Sequence, residues 1–235
     1  MRTAVVLAGG LGSRLRPYTV VLPKPLMPIG EMPILEVILR QLKAAHVERV
    51  VLAVNHQANI IKAFFENGER LGLDISYSLE TEPLGTMGPL KLIRDLPEDF
   101  YVMNGDVLCD LDFAQFMDNH VRKGARFSIS AAQRRQVVDY GVLERSDCGT
   151  LSGFREKPTT NYLVSMGIYC LNRRVLDRIP PGQSFGFDNL MHDMLKNNQD
   201  VHVEPHDGYW LDIGRPDDYH QAVEDWPKLK LKLGI

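Results

Sequence analysis

Along the first half of the chain, short apolar or β-branched runs alternate with segments of helical spacing. Thr3 to Ala8, Arg49 to Val54, Leu73 to Ser78 and Phe100 to Asn104 have the length and composition of strands. Between the first two, Leu35, Ile38, Leu39 and Leu42 fall at i, i+3, i+4 and i+7, with Glu36, Arg40 and Lys43 on other faces, the pattern of a helix with one buried stripe. Strands and helices in alternation favour a Rossmann-like α/β fold, a mostly parallel sheet with helices on both faces. Ligands of such sheets bind beyond the carboxyl ends of the strands. The turn at Gly9 and the turn Asn104-Gly105-Asp106 both follow strands, so both can face one crevice.

The second half is richer in strands, expected at Phe127 to Gln133, Gly141 to Glu144, Thr150 to Phe154 and Ser165 to Leu171. Helical patterns return at Phe187 to Lys196 and Pro216 to Trp226, and Asp112 is placed to cap a helix that begins at Phe113. With no repeat, low-complexity tract or Gly/Pro/Ser-rich linker, the 235 residues read as a single domain with a strand-rich second half. The alternating Lys-Leu segment 228–233 reads as an edge segment or a frayed tail. A net charge of −3 gives no support to a nucleic-acid partner. No apolar run has membrane-spanning length and no signal peptide is recognisable, so no membrane partner and a cytoplasmic location are expected. Cys109, Cys148 and Cys170 are odd in number and far apart, the expectation for reduced, semi-buried thiols rather than disulfides or a zinc site. His56 reads as a loop histidine with its own hydrogen bonds.

The chemistry concentrates in Leu7-Ala8-Gly9-Gly10-Leu11-Gly12-Ser13-Arg14-Leu15-Arg16-Pro17 and, a little further on, Pro23-Lys24-Pro25. A glycine-rich turn after a strand leaves backbone N–H groups open to phosphate oxygens, and Arg14, Arg16 and Lys24 supply charge for a polyphosphate. The dinucleotide fingerprint fails because its third glycine position is Leu15. The P-loop fails too, since no glycine is followed by Lys-Ser or Lys-Thr. What remains reads as a site for a nucleoside triphosphate.

Six further motifs follow in order: Glu80-Thr81-Glu82-Pro83-Leu84-Gly85-Thr86-Met87-Gly88, Asn104-Gly105-Asp106, Tyr140-Gly141-Val142, Glu156-Lys157-Pro158, Gly167-Ile168-Tyr169 and Trp210-Leu211-Asp212-Ile213-Gly214. Together with the glycine turn they resemble the sugar-1-phosphate nucleotidyltransferase family, and within it the mannose-1-phosphate and heptose-1-phosphate guanylyltransferases. The resemblance implies the nucleotidyltransferase fold, with a nucleotide-binding half at about 1–110 and a sugar-phosphate-binding half at about 111–235; the C-terminal β-helix or acyltransferase domain that several relatives carry is not expected, because the sequence stops soon after Trp226. It implies in-line attack of a sugar 1-phosphate on the α-phosphorus of a nucleoside triphosphate, releasing pyrophosphate. The nucleophile is already an anion, so no general base is needed, and the barrier is repulsion between phosphates. Mg²⁺ is the implied cofactor, with Asp106 and Asp212 as its ligands; hard carboxylate oxygens suit that ion, although either aspartate alone would pass for a turn or cap residue. By resemblance Arg14 would hold the departing pyrophosphate, Lys24 would lie between the reacting phosphates, and Lys157 would hold the sugar's phosphate as a movable point charge.

The nucleotide contacts implied are Leu7, Ala8, Gly9, Gly10, Gly12, Ser13, Arg14, Glu80, Pro83, Gly85, Thr86 and Gly105, with Gly88 beside them. The sugar-phosphate contacts implied are Gly141, Glu156, Lys157, Ser165 and Gly167. The pair Ser165-Met166 departs from the Asn/Thr and Ala/Gly common in relatives, and Tyr140 and Tyr162 read as packed aromatics before they read as sugar platforms. Glu80 stands where thymidylyl and uridylyl relatives often carry glutamine. A carboxylate only accepts, and guanine offers two adjacent donors, N1–H and N2–H₂, where uracil and thymine offer one. Glu80 therefore favours GTP, with dTTP or UTP as the runner-up and a non-catalytic nucleotide-sugar sensor as the alternative of another class. Family members commonly associate, so a homodimer is among the expected assemblies.

Overall fold

The computed structural model describes residues 1–10, 12–55 and 57–235; Leu11 and His56 lie outside the described residues. In chain order the strands are β1 (Arg2–Leu7), β2 (Pro28–Ile29), β3 (Met32–Pro33), β4 (Val47–Val54), β5 (Asp74–Leu79), β6 (Asp99–Asn104), β7 (Val107–Cys109), β8 (Phe127–Val137), β9 (Val142–Arg145), β10 (Leu151–Arg155), β11 (Thr159–Asn172), β12 (Val201–His206) and β13 (Trp210–Asp212). The helices are α1 (Ile34–Ala44), α2 (Ala58–Phe65), α3 (Phe113–Arg122), α4 (Phe187–Lys196) and α5 (Pro216–Leu233).

Seven strands form one sheet in the order β12-β8-β11-β6-β1-β4-β5. All neighbouring pairs are parallel except those of β11, which runs antiparallel to both β6 and β8. Strand alternation divides the core. Ala4 and Val6 of β1 pack with α1, α2, α3 and α5 on one face, while Val5 packs with α4 and the turns at Gly88–Leu92 and Arg173–Arg178 on the other. Both faces are thus buried, which is why the central strands read as continuous apolar runs.

β8 and β11 continue together past the sheet as an arm, paired from Ala131↔Ser165 out to Val137↔Thr159, with the β9–β10 hairpin beyond its tip. Where arm and sheet meet, the register shifts between Ser165 and Tyr169, a bulge that lets β11 serve both.

Several expectations are revised. α5 runs on through residues 228–233: Ala222, Trp226 and Leu229 are buried at i, i+4 and i+7, so the Lys-Leu segment is helix rather than edge or frayed tail. Pro227 lies inside this helix. Lys232 closes the helix end onto the Asp110 carboxylate, which also meets His206 Nε2 at 2.8 Å. Cys109 and Cys170 are fully buried and Cys148 is exposed, so none is semi-buried. Tyr140 and Tyr162 are exposed on the arm rather than packed, because the arm has no second layer above it. Asp112 does cap α3, accepting from Gln115 N at 2.9 Å. Among the described residues no helix is long and apolar enough to cross a membrane.

Candidate active site

The site is assembled by strand ends. Leu7 of β1 lies beside Ala53 of β4 and Asn104 of β6, so the segments that leave these strands emerge together at the carboxyl edge. Ala8 N–H donates to Ala53 O at 2.8 Å and Gly105 N–H to Leu7 O at 2.9 Å, tying the Gly9 turn to its neighbours. Asn55, just past β4, donates its side-chain amide to Gly9 O. These turns floor a cavity of about 840 Å³, with Lys24, Glu80, Thr86 and Asp106 on its walls. Its volume suits a nucleotide.

At one end stand two carboxylates. β7 pairs antiparallel with β13, setting Asp212 opposite Val107, and Ile213 N–H donates to Asp106 O at 3.1 Å. Lys24, nearly buried in the turn Lys24–Leu26, pairs with Asp106 Oδ2. Asp106 Oδ1 is buried with no hydrogen-bond partner among the described residues. Burial first, then the charge of Asp106, hold the Asp212 carboxyl above the ordinary range, and Lys24 and Arg14 pull it back. An acceptor oxygen left unpaired beside a second carboxylate is what a hard divalent cation would satisfy, so the residues fit Mg²⁺.

At the other end Glu80 follows β5, its N–H bonded to Val54 O at 2.9 Å. Its carboxylate faces the glycine turn: a Cβ on Gly9 would lie 3.1 Å from Glu80 Oε1. Burial lifts the Glu80 carboxyl above its usual range, opposed only by a long 3.5 Å contact from Leu84 N–H. Among the described residues the carboxylate is therefore short of donors. The loop after it is clamped from across the sheet: Phe185 N–H donates to Leu84 O, Met87 and Gly88 N–H donate to Phe185 O, and Phe187 N–H donates to Thr86 Oγ1, all at 2.8–3.1 Å. Gly85 has φ +75, and a Cβ there would sit 2.8 Å from Phe185 O, so only glycine allows the clamp.

The cavity thus brings together Leu7, Ala8, Gly9, Gly10, Lys24, Glu80, Pro83, Gly85, Thr86, Gly105 and Asp106 of the residues singled out in the sequence. Gly12, Ser13, Arg14 and Asp212 lie outside its lining, but Arg14 and Asp212 share the carboxylate end, since the Arg14 charge acts on Asp212. Gly141, Glu156 and Lys157 are not in the lining either; all three are exposed on the arm. There Gly141 lies against Phe154 and Glu156, where a Cβ would come within 2.7 Å of the Phe154 ring and 3.2 Å of Glu156 Oε2. Lys157 Nζ lies 2.8 Å from Asp139 Oδ1. Gly167, at φ +74, packs on the Asn104 amide so closely that a Cβ would lie 2.6 Å from Nδ2. Ser165 Oγ is bonded to Tyr169 OH and accepts from Gly167 N–H, both at 3.2 Å. Met166 is buried, so the unusual Ser165-Met166 pair bears on bulge packing rather than on direct sugar contact through Met166.

Sequence reasoning missed Asn55, Asn59 and the strap 183–187. The two asparagines had a signal, standing after a strand parallel to β1. The strap had none, since its partners lie about a hundred residues earlier in the chain, beyond the reach of local patterns.

The family profile described as nucleotidyl transferase matches residues 3–228. The chain is 37% identical over 225 residues to the mannose-1-phosphate guanyltransferase of Schizosaccharomyces pombe, covering 92% of this chain and 62% of that protein. It is 36% identical over 226 residues to the mannose-1-phosphate guanylyltransferase catalytic subunit beta of Dictyostelium discoideum, again covering 92% and 62%. The chain therefore spans somewhat less than two thirds of the length of these relatives. Among solved structures, HddC from Yersinia pseudotuberculosis superposes with a TM-score of 0.74 at 28% identity, covering 96% of this chain and all of that one. A second structure of HddC, complexed with GMP-PN, gives 0.73 at 27%.

Proposed function

The chain belongs to the nucleotidyl transferase family, and from that premise we propose that it transfers the guanylyl group of GTP to a sugar 1-phosphate, yielding a nucleotide sugar and pyrophosphate. Mannose 1-phosphate is the first sugar to test, because relatives at 36–37% identity bear that substrate in their names. The observation that carries the reading is the carboxylate pair, Asp106 beside Asp212 with Lys24 and Arg14 around it, at one end of a cavity whose other end holds the donor-poor Glu80.

In this reading the base enters beside Glu80, which accepts from the N1–H and N2–H₂ of guanine. The open N–H groups of the Gly9 turn take the phosphates, and Arg14 offsets the charge that accumulates on the leaving pyrophosphate. Asp106 and Asp212 hold Mg²⁺, which when bound neutralises charge on the triphosphate. Lys24, paired with Asp106, adds a cation between the reacting groups. The sugar 1-phosphate is held by Lys157 and its hydroxyls by Glu156 and the Gly141 backbone, with Ser165 and Gly167 shaping the junction of arm and sheet. One domain with a nucleotide half and a sugar half, a cytoplasmic location and a homodimer accompany this proposal.

Pyrophosphate release from GTP and mannose 1-phosphate with Mg²⁺ is the test. No release with GTP, dTTP, UTP or CTP across a broad panel of sugar 1-phosphates would sink the enzyme reading, and a clear preference for dTTP would refute the role given to Glu80.

A further inference from the structure

Lys157 does not wait with a free charge. Its ammonium is held 2.8 Å from Asp139 Oδ1, and both side chains are largely exposed. The backbone around the pair is constrained. Val138 N–H donates to Pro158 O at 3.1 Å, closing the base of the β9–β10 excursion next to both residues. Lys157 itself has φ +42, a left-handed conformation that side-chain-bearing residues rarely adopt and that persists where the surroundings enforce it. Asp139 also adjoins Tyr140-Gly141, so a single turn carries the sugar-side glycine and a carboxylate paired with the sugar-side lysine.

We propose that Asp139 is a positioning residue that acts as a placeholder counterion: it holds Lys157 until the phosphate of the incoming sugar displaces it, and takes the lysine back after transfer. The inference rests on the role given to Lys157 in the proposed function. Its logic is one of charge. A sugar 1-phosphate carries close to two negative charges at neutral pH, as phosphomonoesters with a second pKa near 6 do. A single carboxylate loses the lysine to such a dianion. During transfer one phosphate oxygen of the sugar 1-phosphate bonds to the α-phosphorus, the bond from that phosphorus to the β-phosphate bridging oxygen breaks, and pyrophosphate leaves with the electron pair. The sugar's phosphate is then joined to the α-phosphate through an anhydride bridge and keeps one charge, against which Asp139 competes on equal terms. Product release becomes an exchange of partners at Lys157 rather than the exposure of an unpaired cation. Every anion that uses Lys157 must first break the pair, so the carboxylate lowers affinity on both sides of the reaction.

The test compares wild type with Asp139→Asn, Asp139→Glu, Lys157→Ala and the double variant Asp139→Asn/Lys157→Ala. Calorimetry with inorganic phosphate and with mannose 1-phosphate is run beside steady-state turnover. Asp139→Asn is expected to tighten both ligands roughly two- to fivefold, the range of an exposed ion pair. KM for the sugar phosphate should fall and inhibition by the nucleotide sugar should strengthen by similar factors, with kcat unchanged or lower. Asp139→Glu should behave as wild type, and the gain should vanish when Lys157 is alanine. Unchanged or weaker binding in Asp139→Asn, or a gain that survives Lys157→Ala, overturns the inference while leaving the transferase reading intact. Tighter phosphate binding that depends on Lys157, in a protein that turns over no sugar phosphate, supports the counterion and removes the transferase.

Discussion

Asp106 and Asp212 are held close in spite of their charges, and that cost makes a prediction. Asp106→Asn and Asp212→Asn should each lower kcat at least about a hundredfold, the scale of losing one electrostatic contributor to a transition state. Asp212→Asn should not lower the melting temperature, because burial and then the Asp106 charge hold that carboxyl above its ordinary range. Asp106→Asn should lower it by leaving the buried Lys24 without its partner. Pyrophosphate release and thermal unfolding of the same preparations check the two halves. Glu80→Gln should cost GTP affinity about 1.5–3 kcal/mol, roughly ten- to a hundredfold, by replacing a charged acceptor with an amide that meets guanine with one acceptor and one misplaced donor. Thermal shifts with GTP and dTTP read this directly. Both glycine turns and Glu80 were legible in the sequence because a strand end and a local motif place them. Asp139 was not, since its significance arises only from a contact with Lys157 across the closed base of the β9–β10 excursion.

Elements were legible where periodicity was unambiguous. The stripe of α1 and the runs of β1, β4, β5 and β6 are found within a residue or two of their expected bounds. α5 was cut short at Trp226, since an alternating Lys-Leu run reads as an edge segment or a frayed tail; the helix continues with Leu229 buried in the same core cluster as Trp226. Leu229→Ala should therefore destabilise the protein by roughly 2–5 kcal/mol, the cost of a buried leucine, in urea unfolding, where a frayed tail would lose nothing. A second prediction concerns the seam between α3 and the sheet. His120 of α3 is buried, with Nδ1 2.8 Å from Ser128 Oγ and Nε2 3.4 Å from Asp99 Oδ1. Burial lowers its pKa despite the opposing pull of Asp99, and the His202 charge pushes the same way as burial. The folded state thus resists protonation that the unfolded chain accepts near pH 6.5. Stability from this group is complete above that pH and is lost as pH falls from there toward the folded value. His120→Gln should flatten the decline of unfolding free energy between pH 7 and pH 5.

At the scale of the whole molecule the arm is separable from the sheet. Val137 and Thr159 face each other across β8 and β11, so replacing residues 138–158 by Asn-Gly gives a two-residue hairpin in register. The shortened chain should fold, with a melting temperature within about 4 °C of wild type, the shift expected for a change of about 1 kcal/mol. It should keep its stabilisation by GTP and lose transfer, because Gly141, Glu156 and Lys157 go with the excised segment. The sheet order was only partly foreseeable: alternation predicts parallel strands, but nothing local says that β11 returns antiparallel between β6 and β8. The pairing of β7 with β13 has a consequence in time rather than space. β13 follows every strand of the seven-stranded sheet in the chain, so Asp212 leaves the ribosome only after all seven have been made. Every strand end that floors the nucleotide cavity is therefore synthesised before the second acid, and the acid pair is completed only once β13 has been made.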